Sequence, residues 1–194
     1  MTFRLQHPAL ILAALGAVSG MLGTTFLGAG YGEAPAPGVY MVLAGLWFGL
    51  VIGFAVWRWG EASWVAVATA VLVTWIGWEA AVNVALQIDR PWPEAISIAS
   101  TYKSYLTSFV AGAVGASITW AGAAARVSSL QRISAAATTV ATGALFGLLL
   151  PATNHFDSGL VLLLPWQMAV AAMIGFNMSS LRKPRRPDHS VLAA

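Results

Sequence analysis

Apolar residues dominate six stretches of this chain, and short polar clusters separate them. The stretches cover about residues 8–27, 38–57, 63–86, 96–123, 134–150 and 159–178. A helix of about 20 apolar residues crosses a hydrocarbon core of about 30 Å. The pattern therefore predicts an all-α fold: a polytopic membrane helix bundle with six transmembrane helices. The separators carry turn chemistry. Residues 28–37 are rich in glycine and proline, Arg58-Trp-Gly-Glu61 closes the second stretch, and Pro91 and Pro93 stop any helix in the loop 87–94. Polar turns at 126–132 and 153–158 divide the second half. Residues 1–180 read as one membrane domain, and 181–194 as a basic tail without fixed structure.

Composition strengthens this picture. Of 194 residues, 58% are hydrophobic and only 9% are charged, where a soluble domain carries about 25%. Mean hydropathy is +0.75. A net charge of +3 could point to nucleic acid, but the basic residues sit singly at the ends of apolar runs and form no stripe, so no nucleic-acid partner is expected. Absence of cysteine excludes disulfides and thiolate-held metals. The first apolar run, at about 20 residues, exceeds the 7–15 of a signal-peptide core and no small-x-small cleavage site follows, so it is expected to be retained as a span.

Charge also sets orientation. With the N-terminus inside, the inner segments hold Arg4, Arg58, Arg126, Arg132, Arg182, Lys183, Arg185 and Arg186, while the outer side keeps Arg90 and Lys103. Eight against two predicts both termini in the cytoplasm. The expected setting is a bacterial inner membrane, with the basic tail against anionic headgroups.

Small residues recur at helix-packing intervals: Gly16 and Gly20, then Gly45, Gly49 and Gly53, then Gly143 and Gly147. Such ridges let helix backbones approach closely in lipid. Packing within one monomer is their first reading. A homo-oligomer through Gly45, Gly49 and Gly53 is the second. The halves also echo each other. Gly45-Leu-Trp-Phe-Gly49 resembles Gly143-Ala-Leu-Phe-Gly147, Trp78-Glu-Ala-Ala-Val82 resembles Trp166-Gln-Met-Ala-Val170, and Gly16-Ala-Val18 matches Gly112-Ala-Val114. Three spans per half would make this a 3+3 inverted repeat, common among transporters. Against it stands the spacing between the glycine and tryptophan motifs, 33 residues in the first half and 23 in the second.

The polar residues inside the spans are the candidate chemistry. Glu79 and Asn83 lie four apart and share a helical face. A charge at mid-membrane costs about 2.5–3.5 kcal/mol on insertion scales, so Glu79 requires a partner or a proton. Lys103 enters the fourth span at a matching depth. It is expected either to pair with Glu79 or to snorkel outward on its long stem. Tyr102 and Tyr105 beside it read as interface anchors. In the sixth span Pro165 frees the carbonyl of Val161, and the Gln167 amide stands beside that break. Asn154, His155 and Asp157 form a polar cluster after the fifth span, best read as helix-end capping, since a metal would need more ligands. Gly30-Tyr-Gly-Glu33 resembles a potassium-filter core but lacks the preceding threonines and a pore helix, leaving a surface turn.

No catalytic motif occurs, so neither an enzyme nor a cofactor is expected. The first functional expectation is a small transporter or membrane-embedded binding subunit for a small solute or ion. Glu79, Asn83, Lys103 and Gln167 would form its centre, reached past Asn154 and His155. The second is a non-transporting assembly or scaffold protein whose polar groups only register helices.

Overall fold

The computed structural model describes residues 7–25, 43–60, 62–91, 99–156 and 158–179. These form seven α-helices in the order α1 (Pro8–Gly23), α2 (Leu43–Trp59), α3 (Trp64–Asp89), α4 (Ser100–Ala124), α5 (Ile133–Gly147), α6 (Thr153–Phe156) and α7 (Leu160–Ser179). Among the described residues there is no strand. Two 3₁₀ turns, Ser128–Leu130 and Leu150–Ala152, extend the ends of α4 and α5. The glycine-rich segment 28–37, with its Gly-Tyr-Gly core, and the basic tail 181–194 lie outside the described residues.

Four helical stretches are long and apolar enough to cross a membrane: α3, α4, α7 and Ile133–Ala152. The other two major helices are apolar but shorter, with 16 residues in α1 and 17 in α2. At 1.5 Å per residue each is about 25 Å long, short of a 30 Å core. The last four predicted spans are thus present as helices of spanning length, and the first two as shorter ones. The third span continues further than its loop signal implied. It runs to Asp89, and Arg90 leaves helical geometry at φ −57° and ψ 152°, the extended conformation demanded of the residue before Pro91.

The six major helices close into a ring in which each packs on two neighbours: α1, α2, α3, α4, α5, α7 and back to α1. Contacts at the glycines establish that neighbours run antiparallel. Gly175 faces Ala9 while Gly20 faces Leu164, and on the next pair Gly45 faces Trp78 while Gly53 faces Val67. Close approach at two seams depends on the absence of side chains. A Cβ on Gly20 would lie 2.6 Å from the Leu164 Cα, and one on Gly147 would lie 2.5 Å from the Ser108 carbonyl oxygen. Backbone at that distance cannot step aside as a flexible side chain would.

The ridge at Gly45, Gly49 and Gly53 is occupied within the chain, because all three glycines pack on α3 through Trp78, Val71 and Val67. A homo-oligomer built on that ridge would have to displace α3, and packing within the monomer is the reading that fits.

Inside the ring lie Leu12, Phe48, Ile52, Val56, Val170 and Ile174, all fully buried. Outside it, Leu10, Leu72, Ile76, Phe109, Ile133, Leu145 and Phe176 are exposed. An apolar exterior of this extent is compatible with a bundle set in lipid. Several hydroxyls bond within their own helices: Thr69, Thr107, Ser117, Thr139 and Thr142 each donate to a carbonyl four residues back.

One end of the ring is sealed. The Trp120 indole donates to the Leu130 carbonyl at 2.9 Å, and Gln131 donates to Ala124 at 3.1 Å. Arg132 donates to Ser129 and, at 3.2 Å, to the Asn177 carbonyl near the end of α7. A cation there satisfies orphan carbonyls and complements the helix dipole. Leu130 and Val127 plug the space beneath.

Candidate functional site

At the opposite end, where α1, α3 and α5 finish and α4 and α7 begin, the ring encloses a cavity of about 840 Å³. This is the end that the charge pattern assigns to the outside. Thr24, Thr25, Thr153, Ser158 and Gly159 stand at its mouth. Ser108, Ala111, Gly112 and Gly115 of α4 make one wall, and Ala81, Val82 and Ala85 of α3 another. Trp78 and Trp166 form the floor. From Asp89 down to Trp78 is eleven residues of α3, or about 16 Å along the axis. The cavity therefore reaches about 16 Å below the end of α3.

The floor is an aromatic corner. Trp78 and Trp166 meet edge to face, with centroids 5.4 Å apart and planes at 72°. Phe48 supports Trp166 from the core side at 5.7 Å. Edge-to-face geometry sets the positive rim of one ring on the negative face of the next, worth about 0.5–1.5 kcal/mol per pair beyond burial. The Trp166 indole N–H donates to the Gly143 carbonyl of α5 at 2.9 Å, which fixes its ring across the α5–α7 seam. Its neighbour differs: the Trp78 N–H is buried without an acceptor, a condition that costs about 1–3 kcal/mol.

The residues singled out from the sequence do not converge on this space. Glu79 and Asn83 lie on the flank of α3 next to the face that lines the cavity, because Trp78, Ala81, Val82 and Ala85 occupy that face at helical spacing. The Asn83 amide donates to the Glu79 backbone carbonyl at 2.8 Å, a bond within one helix. The Lys103 ammonium donates to the carbonyls of Asp89 and Arg90 at 2.9 and 2.6 Å. It thereby caps the end of α3. Lys103→Met is expected to cost about 1 kcal/mol, and hydrogen exchange at residues 86–89 should rise with it; unchanged exchange there would deny the cap its role.

Gln167 is fully buried below the cavity floor. Its amide nitrogen reaches the Ala44 carbonyl at 3.5 Å and its oxygen has no partner. His155 is exposed on α6 and is not among the residues that line the cavity; Asn154 belongs to the same short helix, and its side chain and Asp157 lie outside the described part. Among the described residues no three His, Cys, Asp or Glu side chains converge to hold a metal ion.

No protein-family model matches this chain, and neither the curated proteins nor the solved structures contain a significant match.

The cavity residues that the sequence did not single out as a site are Trp78, Trp166, Ser108 and the small residues of α4. One signal was present. Trp78 and Trp166 head the two echoed motifs, and they meet each other at the floor. Each also touches the glycine of its own half: Trp78 packs on Gly45, and Trp166 donates to Gly143.

Proposed function

We propose that this protein is a small multi-pass membrane protein that binds a small solute in the cavity above Trp78 and Trp166, as a transporter or as the embedded binding subunit of one. The observation that carries the reading is a ring of helices whose described residues leave a cavity at one end and close over the other. Drug-sized sites occupy about 300–1,000 Å³ and favour the space between helices of a bundle. A bundle whose helices only kept register would be expected to fill that space with side chains.

The 3+3 repeat belongs to the same proposal. Exchanging α1 with α4, α2 with α5 and α3 with α7 leaves the order of the ring unchanged. The exchange also brings Trp78 onto Trp166, its contact partner. One pair departs from it: Gly16 packs on α7, whereas Gly112 packs on α5 and not on α3. Six spans with both termini in the cytoplasm would turn the hollow end outward.

Thermal stability of the detergent-purified protein against ions, amino acids, vitamins and sugars tests this reading, with Ala85→Trp and Glu79→Gln measured in parallel. Ala85 lines the cavity wall and is half-buried, so an indole there should occupy the space while leaving the helix intact. A solute that raises the melting temperature of the parent and of Glu79→Gln, but not of Ala85→Trp, is the expected result. Loss of the shift in Glu79→Gln alone would move the site to the other flank of α3. No shift with any solute would favour the assembly-protein reading.

A further inference from the structure

Two fully buried threonines depart from the pattern that four others follow. Thr69, Thr107, Thr139 and Thr142 give their hydroxyl protons to the carbonyl four residues back, the local way to satisfy a hydroxyl on a helix. Thr74 and Thr119 are fully buried, and their oxygens have no partner. Ala70 and Gly115 stand four residues before them, so each threonine leaves unmade a bond that its own helix offers. A buried hydroxyl in that state calls for a partner from elsewhere.

The two lie in matching sequence. Val73-Thr-Trp-Ile-Gly77 of α3 and Ile118-Thr-Trp-Ala-Gly122 of α4 carry a β-branched residue, Thr, Trp and Gly at the same spacing. The motifs also meet. A Cβ on Gly77 would lie 3.2 Å from the Ile118 Cβ, and one on Gly122 would lie 2.9 Å from the Val73 Cβ. Such reciprocal contacts between antiparallel helices describe a local two-fold across the α3–α4 seam. It sets Thr74 level with Ala121, two residues from Thr119, or about 3 Å along the axis. A two-fold of this kind keeps the inner side inner, so both side chains, being fully buried, lie on the inner side of one seam. The backbone adds acceptors there. The Gly115 carbonyl oxygen would lie 3.4 Å from a Cβ on Gly77, and the Ala70 carbonyl oxygen 3.8 Å from one on Gly122. Each threonine is also one helical turn, about 6 Å, beneath a residue that lines the cavity: Thr74 beneath Trp78, and Thr119 beneath Gly115.

We propose that Thr74 and Thr119 hold an ordered water between α3 and α4, one turn beneath the tryptophan floor. Buried waters typically make about three hydrogen bonds to groups that would otherwise go unsatisfied. This one accepts from one hydroxyl, bonds to the other, and has the second lone pair of a seam carbonyl to donate to. The site holds whether or not a solute binds in the cavity above it.

Thermal melting of the full chain in detergent tests this with Thr74→Val, Thr119→Val, the double variant and Thr74→Ser. Valine keeps the branched shape and removes the hydroxyl. Each single valine should lower the melting temperature by about 2–4 °C, the loss of about one hydrogen bond. The double variant should lose little more than either single one, because the first change already releases the water. Thr74→Ser keeps the hydroxyl and should stay closer to the parent than Thr74→Val. Nuclear magnetic resonance with labelled threonine methyls supplies the second measurement. Cross-relaxation between the Thr119 methyl and a long-lived water is expected in the parent and in Thr74→Ser, and its loss in Thr74→Val. Single valines that melt at or above the parent would overturn the proposal, since a dry seam gains from losing an unmet polar group. Additive losses in the double variant would overturn it as well. Coupled losses without a water signal would overturn it in favour of a direct bond between the two hydroxyls.

Discussion

Gly20→Leu should separate α1 from α7 and lose the folded bundle. The glycine sits where a Cβ would meet the Leu164 Cα at 2.6 Å and the Leu163 carbonyl oxygen at 2.7 Å. Both neighbours are backbone, so relief requires one helix to move away from the other along the whole seam. Overpacking a core costs about 1–3 kcal/mol where side chains can yield, and more where they cannot. The expected value here is above about 3 kcal/mol. Size-exclusion chromatography and thermal melting in detergent should show loss of the monodisperse peak and a large fall in melting temperature. Gly159→Ala is the matched control, since its nearest neighbours would lie 3.8 Å away. A melting temperature of Gly20→Leu equal to that of the control would show that the α1–α7 seam is not as close as described.

Trp166→Ala should be the most damaging change at the cavity. The side chain is 4% exposed, packs edge-to-face on both Phe48 and Trp78, and ties α7 to α5 through Gly143. Truncating a buried aromatic costs about 3–5 kcal/mol. Trp166→Phe keeps an aromatic ring in the corner but removes the hydrogen bond and part of the ring volume, so a smaller cost of about 1–3 kcal/mol is expected. Melting temperatures should therefore fall in the order parent, Phe, Ala, and near-ultraviolet circular dichroism should lose the coupled-indole signal in both variants, since each removes one of the two indoles. Equal damage from both changes would assign the role of Trp166 to its hydrogen bond and not to the aromatic corner.

The helices were legible because membrane spans announce themselves by length and uniform apolarity. The last four predicted spans became helices within a few residues of their predicted ends. The glycine ridges were legible as seams, since small residues four apart have one common physical use in lipid. What they seam was not legible: Gly45, Gly49 and Gly53 could face α3 or a second copy with the same spacing. The cavity was hidden for a related reason. Its walls are alanine, glycine and serine, the same residues that pack tightly elsewhere in the bundle, and only three-dimensional placement separates a wall from a seam. Glu79, Asn83 and Lys103 drew attention because polar groups in an apolar run carry a large transfer cost. Two of them spend hydrogen bonds on helix backbone instead, Asn83 on the Glu79 carbonyl and Lys103 on the end of α3.

Closure of the ring by its first and last helices has a consequence for biosynthesis. The face of α1 that carries Gly16 and Gly20 finds its partner at Leu164 and Gln167, almost the last part of the bundle to leave the ribosome. At about 5–20 residues per second, α1 waits about 7–30 s for α7 to arrive. During that interval a glycine-lined groove stands open, available to any other helix of suitable shape. The nascent chain is therefore vulnerable to mispairing at α1, and a chain truncated before Leu160 would leave that groove permanently unfilled.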